Sequence, residues 1–510
     1  MPIAKFDALL SLVESMSKAE KRHFSLYCSR LESNKNVLYL RLFHRLETAK
    51  YRSDIDLTKA LGEISKTQYI NAKRNLYTQI LRSLRVLRDR SNKTFEQRQK
   101  LDYALLLYQR GLITESLLLL EKAKKSIQDN KRPWLYLEAL ELQKLIESRH
   151  ITRSRQKSKR IESIIEESQL HTDQVTVETL MTNVSLAVQG FYNKMGFAKN
   201  DRDAMLYKSF FDSRIPARSI AEVSHFSKML WCQSKVWENQ ALLKFQFSYK
   251  YALLWIETGL ALPKSAQDVD LISRGFHYLL TACYYLDSAI RFEAHFQKWE
   301  TFRLERRGDY NQTSELLDFT YFSNALLNRQ LLLNLPSRKE SIINKFKTEL
   351  AQKRENLDQH RNLILLYKLA MISSYKGDYE SAIVFLNQIL ATQEPPLRSD
   401  VYNYARLILL LCHYKLNSFR LVINLIPAVK SAFESQARFT EVLGLLLGFL
   451  RKGCRAMNFG INELIDITFE KLESCRLRQF DKVDFVYYDF SSWVLSLKDG
   501  ESIVDVRKRK

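Results

Sequence analysis

One short phrase occurs twice in this chain, far apart, and it constrains the fold more than any other feature. The first copy reads Ala104, Gly111, Ser116, Leu120 and Ala123; the second reads Ala370, Gly377, Ala382, Leu386 and Ile389. The gaps of seven, five, four and three residues are the same in both. Small residues on either side of a glycine fit two antiparallel helices that cross closely. The glycine then sits at the turn between them, where a left-handed backbone carries no Cβ penalty. A unit of that size cannot bury its own apolar face, so it must stack on further units of the same kind.

The rest of the composition agrees with helix. The 510 residues include 13 Gly and 8 Pro, about 4% together against roughly 12% in average usage. So few breakers leave little room for the turns of a β-sandwich or the glycine-rich loops of a nucleotide fold. Leu, Lys, Glu, Arg and Gln are abundant and lose little rotamer freedom in a helix. The expected class is all-α: an α-solenoid of antiparallel helix pairs over 98–500. A small basic helical domain precedes it over 1–97, and a loose basic tail follows over 501–510. Apolar spacing predicts pairs at 101–128, 174–212, 220–260, 268–304, 314–351, 361–391, 399–433 and 436–475. Prolines at 216, 263, 336, 395 and 396 fall between pairs, where they cannot clash with a preceding helical turn. A last helix over 480–498 buries Val483, Val486, Phe490, Trp493 and Leu497 and turns Asp481, Asp484 and Asp489 to solvent, as a terminal cap should.

The amino-terminal third carries the charge. The whole chain has a net charge of +22, and residues 1–160 hold 34 Lys and Arg against 17 Asp and Glu, a net of +17. Ser17 and Glu20 form a capping-box pattern. The strongest helix in this region runs from Ser65 to about Arg90. On a helical wheel Ile70, Tyr77, Ile80, Leu81, Leu84 and Leu87 share a face that reads as buried, with Arg74, Arg82 and Arg85 in a basic stripe beside it. The preceding residues, Leu57 to Gly62, followed by Ile64 and Ser65, have the outline of a helix-turn-helix. That arrangement would aim Gln68, Asn71 and Lys73 at base edges and the arginines at phosphates. A helix from Trp134 is expected to reach a second basic run, Arg153, Arg155, Lys157, Lys159 and Arg160, five cations in eight residues with no acid. Such clusters release counterions from a phosphate backbone, or dock an acidic protein, or simply solvate a surface.

The segments at 101–128 and 361–396 resemble tetratricopeptide repeats. In the second, Ala370, Gly377, Tyr379, Ala382 and Pro395 match that family's small, glycine, aromatic, small and terminal proline positions. In the first, Ala104, Gly111 and Ala123 match, with Ser116 in place of the usual alanine. The resemblance implies a right-handed superhelix whose concave face binds extended peptides or partner helices, and it does not imply an enzyme.

No catalytic constellation accompanies these features. The nine histidines stand alone without HxxxH spacing, and GxxxxGK[ST], GxGxxG and GxSxG patterns do not occur. The expectation is therefore a non-enzymatic scaffold or adaptor that binds a protein partner through a helical-repeat surface, with no cofactor and no metal. The second reading is a nucleic-acid-binding regulator that uses the segment near 57–90. The contact residues under either reading are Lys73, Arg74, Arg82, Arg85 and the run Arg153 to Arg160. No apolar run approaches the length of a membrane span. Six scattered cysteines without a CxxC pair, and an amino terminus without an apolar signal segment, point to the cytoplasm.

Overall fold

The computed structural model of the chain describes residues 5–31, 37–48, 57, 61–62, 64–88, 92–129, 132–150, 160–333, 348–350, 357–391, 398–436, 438–455, 460–498 and 500–509. Helix is the only regular secondary structure among them. The chain divides into two compact units, Met1–Thr172 and Asp173–Lys510.

The first unit opens with α1 (Lys5–Ser15), α2 (Lys18–Leu31), α3 (Leu38–Thr48) and α4 (Lys66–Arg88). They enclose a core that includes Val13, Phe24, Phe43, Leu76 and Ile80. Ser17 and Glu20 form the expected reciprocal cap, and Ser65 and Gln68 form a second one at the start of α4. The buried face of α4 differs from the wheel reading. Tyr69, Ala72, Leu76, Ile80 and Ser83 are buried, whereas Ile70, Tyr77 and Leu81 lie in solvent. Small residues decide this. Ala72 and Ser83 permit close approach, and His23 of α2 lies within hydrogen-bonding distance of Ser83, at 2.9 Å. A wheel that counts only large apolar residues misses such a seam.

A separate apolar cluster, with Ala104, Leu120, Ala123, Leu135 and Ala139, joins α5 (Lys93–Gln109), α6 (Ile113–Asp129) and α7 (Pro133–Arg149). Helix α7 starts at Pro133, where the missing N–H is free of cost. It ends at Arg149, short of the basic run. Helix resumes with α8 (Arg160–Met195), and the boundary between the two units falls inside it.

The second unit continues as helix pairs. These are α9 (Asp201–Asp212), then α10 (His225–Ala241) with α11 (Phe245–Leu260), and α12 (Val269–Tyr285) with α13 (Ala289–Arg306). Next come α14 (Gln312–Leu333), α15 (Gln359–Tyr375) with α16 (Tyr379–Leu390), and α17 (Ser399–Lys415) with α18 (Phe419–Glu434). Helices α19 (Glu441–Gly453) and α20 (Ile461–Leu477) complete the pairs. From α10 to α20 each helix packs on its predecessor, apart from the interval between α14 and α15, where residues 334–347 and 351–356 lie outside the described chain.

Five of the turns are one structure. Gly111, Leu243, Asp287, Gly377 and Asn417 each adopt a positive φ, between 51° and 84°. In each case the following N–H bonds to the carbonyl five residues before the turn residue, as in Ser418 to His413 at 3.0 Å and Asp378 to Ser373 at 2.9 Å. This is the Schellman geometry. The sequence displays two of the five because only two use glycine. The burial pattern is equally shared. Seven residues before the turn and five, nine and twelve after it, every side chain is buried: Ala104, Val236, Leu280, Ala370 and Leu410 at the first position, for example. In the first pair Ser116 donates to the Ala104 carbonyl at 2.7 Å, a contact that a larger residue at 116 would displace.

The carboxyl end departs from expectation. The single helix over 480–498 is instead two short ones, α21 (Lys482–Tyr487) and α22 (Phe490–Leu495), broken at Tyr488 and Asp489. Asp484 is fully buried, and Asp489 caps α22 by accepting from the Ser492 N–H. This segment lies on α15 and α17. Tyr367 donates to the Tyr487 carbonyl, Tyr375 accepts from the Asp489 N–H, and Lys415 donates to the Ser496 carbonyl. The basic tail is ordered as α23 (Ile503–Arg509), anchored by buried Ile503 and Val506 and by Arg507 donating to the Leu331 carbonyl at 2.7 Å.

Candidate partner-binding surface

The solvent side of α4 combines charge and apolar area. Positions 70, 74, 77, 81 and 85 follow one another on a single stripe at 3-4 spacing, so that Ile70, Tyr77 and Leu81 interleave with Arg74 and Arg85. The three apolar side chains are 45%, 41% and 44% exposed. Arg74 and Arg82 are exposed and have no ion-pair partner among the described residues. Arg85 reaches Asp102 of α5 at 2.9 Å, an exposed pair worth little in water. Lys73 is partly buried and lies over the Tyr69 ring, 5.3 Å from its centroid.

The helix-turn-helix reading meets this geometry unevenly. Gly62 has the left-handed φ of a turn, +88°, and the Leu61 carbonyl accepts from Arg41 at 2.5 Å. Residues 58–60 and 63 of that segment, including Ala60, lie outside the described residues. Gln68, assigned to base edges, is committed to the Ser65 cap, and the exposed face that follows it is apolar at three positions.

Of the second basic run, Arg153, Arg155, Lys157 and Lys159 lie outside the described residues. Arg160 is not a surface contact. Its guanidinium pairs at 2.6 Å with Glu147, which is almost fully buried. Glu167, read from sequence as a solvated acid, holds buried Lys124 at 3.0 Å and accepts from Tyr136. Burial and that carboxylate together push the Tyr136 phenol well above its ordinary range.

Two clusters that sequence reading missed also bear on function. Asp400 is gripped by Arg398 at 2.6 Å, faces Arg438 at 3.9 Å and accepts from Tyr487. Burial alone would raise its pKa, but the Arg398 charge and hydrogen bonds outweigh it and hold the carboxyl far below the usual range. This knot ties α17 to the carboxyl segment and, through Arg438 donating to the Met195 carbonyl, to the end of α8. Nothing in the spacing of 195, 398, 438 and 487 signals it. Glu441, Cys475 and Asp481 also converge, with ligand atoms within 4.8 Å of one another. Arg478 stands among them, 2.9 Å from each carboxylate and 2.7 Å from Sγ, so an internal guanidinium occupies the place of a cation. Burial pushes the thiols of Cys232, Cys283 and Cys412 up to about 12, so these act as small apolar groups.

No helix among the described residues is long and apolar enough to cross a membrane. Comparison with protein-family models finds no match, and searches of curated proteins and of solved structures return none either.

Proposed function

We propose that this protein is a non-enzymatic adaptor of the cytoplasm. It docks a protein partner on the solvent face of α4, and the helical array behind it serves as the scaffold. The observation that supports this most is the stripe Ile70, Arg74, Tyr77 and Leu81. A phosphate backbone would reward the arginines but leave Ile70 and Leu81 in water. An amphipathic helix with apolar residues flanked by acids would satisfy both. Covering three half-exposed side chains contributes roughly 1 kcal/mol each from transfer alone. The inner helices α15 and α17, where the repeat resemblance would seat an extended peptide, already hold the chain's own carboxyl segment.

Binding of the full chain to labelled duplex DNA and to single-stranded RNA, titrated against salt, tests the choice between partners. The adaptor reading expects weak binding that loses little when Arg74, Arg82 and Arg85 become glutamine. Tight binding whose salt slope falls by about 0.9 for each lost phosphate contact would favour the regulator reading instead.

A further inference from the structure

Three consecutive helices of the second unit, α12, α14 and α15, bring cations together without matching acids. Arg274 of α12 donates Nε–H to the Tyr321 hydroxyl at 3.0 Å, and Arg361 of α15 stands over the same ring, 6.0 Å from its centroid. His277 stacks on that ring at 4.8 Å, with Nδ1 3.4 Å from the Asn324 amide. One turn further along α14, Asn328 accepts from Lys368 through Oδ1, and the ammonium also lies 4.9 Å from the centre of the Tyr284 ring. The whole cluster is connected by contacts.

The carboxylates nearby do not neutralise it. Asp358 pairs with Arg361 at 3.1 Å. Asp268 caps α12 and Asp270 accepts from Ser314, each one turn or more before Arg274 and without a hydrogen bond to it. Arg274 and Lys368 thus keep two positive charges whose hydrogen-bonding partners are a phenol and an amide. Burial, followed by the charges of Lys368, Arg274 and Arg361, drives the His277 pKa down to about 3, which keeps the imidazole neutral and leaves the field to the other three. The amide of Asn328 is fully buried, and its Nδ2 donor has no partner among the described residues. An unmade bond of this kind costs about 1–3 kcal/mol. Lys368, Arg274 and Arg361 remain partly exposed, so solvent and solutes reach the cluster.

We propose that this inner face binds the phosphate group of a small phosphate monoester. Lys368 and the Asn328 Nδ2 donor contact its oxygens, and Arg274 and Arg361 complete the field around it. A dianion matches the two uncompensated charges, where a single carboxylate would leave one. The site is independent of the α4 face and stands or falls separately from it.

Thermal melting of the full chain in inorganic phosphate, acetate and chloride at equal ionic strength tests the proposal, alongside the ³¹P line width of free phosphate. Phosphate should raise Tm by about 2 °C or more over chloride as binding to the native state predicts, and its ³¹P signal should broaden. Lys368→Met should abolish both effects while melting no lower than the native chain in chloride, because it removes a buried ammonium. Asn328→Leu should weaken them. If Lys368→Met fails to fold, Arg274→Met with the same two measurements replaces it. Equal melting in phosphate and chloride with no line broadening would overturn the site. So would a full phosphate effect in the Lys368→Met protein, or protection by acetate equal to that by phosphate.

Discussion

The Tyr404 hydroxyl donates to the carboxylate of Asp484, eighty residues later in the chain, and the Thr440 hydroxyl donates to the other oxygen at 2.8 Å. Both tyrosine and aspartate are buried. This contact fastens the carboxyl segment to α17 and to the start of α19, so residues beyond 480 belong to the core.

Asp484 sets a pH dependence. Burial pushes its pKa up to about 7, against the two hydrogen bonds that favour the charged form. Its folded pKa lies above the unfolded value, so the native state holds a proton between about pH 4 and 7 that the unfolded chain has released. This contribution is therefore most favourable below pH 4 and is lost as pH rises through 7. His277 and His360, pushed down to about 3 and 4 by burial and neighbouring cations, act in the opposite sense: their contribution is full above pH 6.5 and fades as acid charges them. The comparison must therefore be with a variant. Asp484→Asn should match the native chain near pH 4 and exceed it by a few kcal/mol at pH 8, read from urea unfolding. A stability difference that stays constant with pH would rule this out.

The shared turn makes paired predictions of opposite sign. Asn417→Gly relieves a left-handed residue and should stabilise by up to about 1 kcal/mol, while Gly377→Ala introduces one and should cost roughly 1–2 kcal/mol. Calorimetric melting of the two variants should shift Tm in opposite directions. Shifts of the same sign would mean that the two turns are not equivalent.

Helix crossing at the second copy of the phrase leaves no spare volume. Ala370 and Ala382 are both fully buried. Ala382→Leu should overpack the crossing and cost roughly 1–3 kcal/mol, visible as a lower urea midpoint with an unchanged slope. An unaltered midpoint would place residue 382 elsewhere.

Trp493 is fully buried beside Tyr414 and Phe449. Trp493→Ala should cost about 3–5 kcal/mol, and it should loosen the first helices α15 and α17 together in hydrogen exchange. A terminal cap of only local importance would leave amides around Tyr367 and Tyr404 as protected as before.

How much of this could be read in the chain depends on which residue marks each feature. Gly111 and Gly377 announced their turns because glycine is scarce here. Leu243, Asp287 and Asn417 make the same turn silently, and Val236 or Phe292 fill crossings that alanine fills elsewhere. The α4 face was misplaced because Ala72 and Ser83, the residues that admit α2, carry no hydrophobic signal. The arginine positions Arg74 and Arg82 were found at the surface as read. Asp484 looked like solvation because a carboxylate is buried only when distant hydroxyls receive it, and Tyr404 and Thr440 are remote in sequence. The cluster of Arg274, Asn328 and Lys368 was hidden for the same reason, since three helices must stack before it exists.

The central functional claim is that the α4 face recruits a protein. Affinity capture with the full chain from an extract of its host of origin, quantified by mass spectrometry beside a variant carrying Ile70→Ser, Tyr77→Ser and Leu81→Ser, tests it most directly. The account predicts a protein enriched by the native chain, resistant to nuclease, and lost at least tenfold with the variant, whose circular dichroism stays native. Identical captured sets from both chains, or enrichment that nuclease removes, would contradict it.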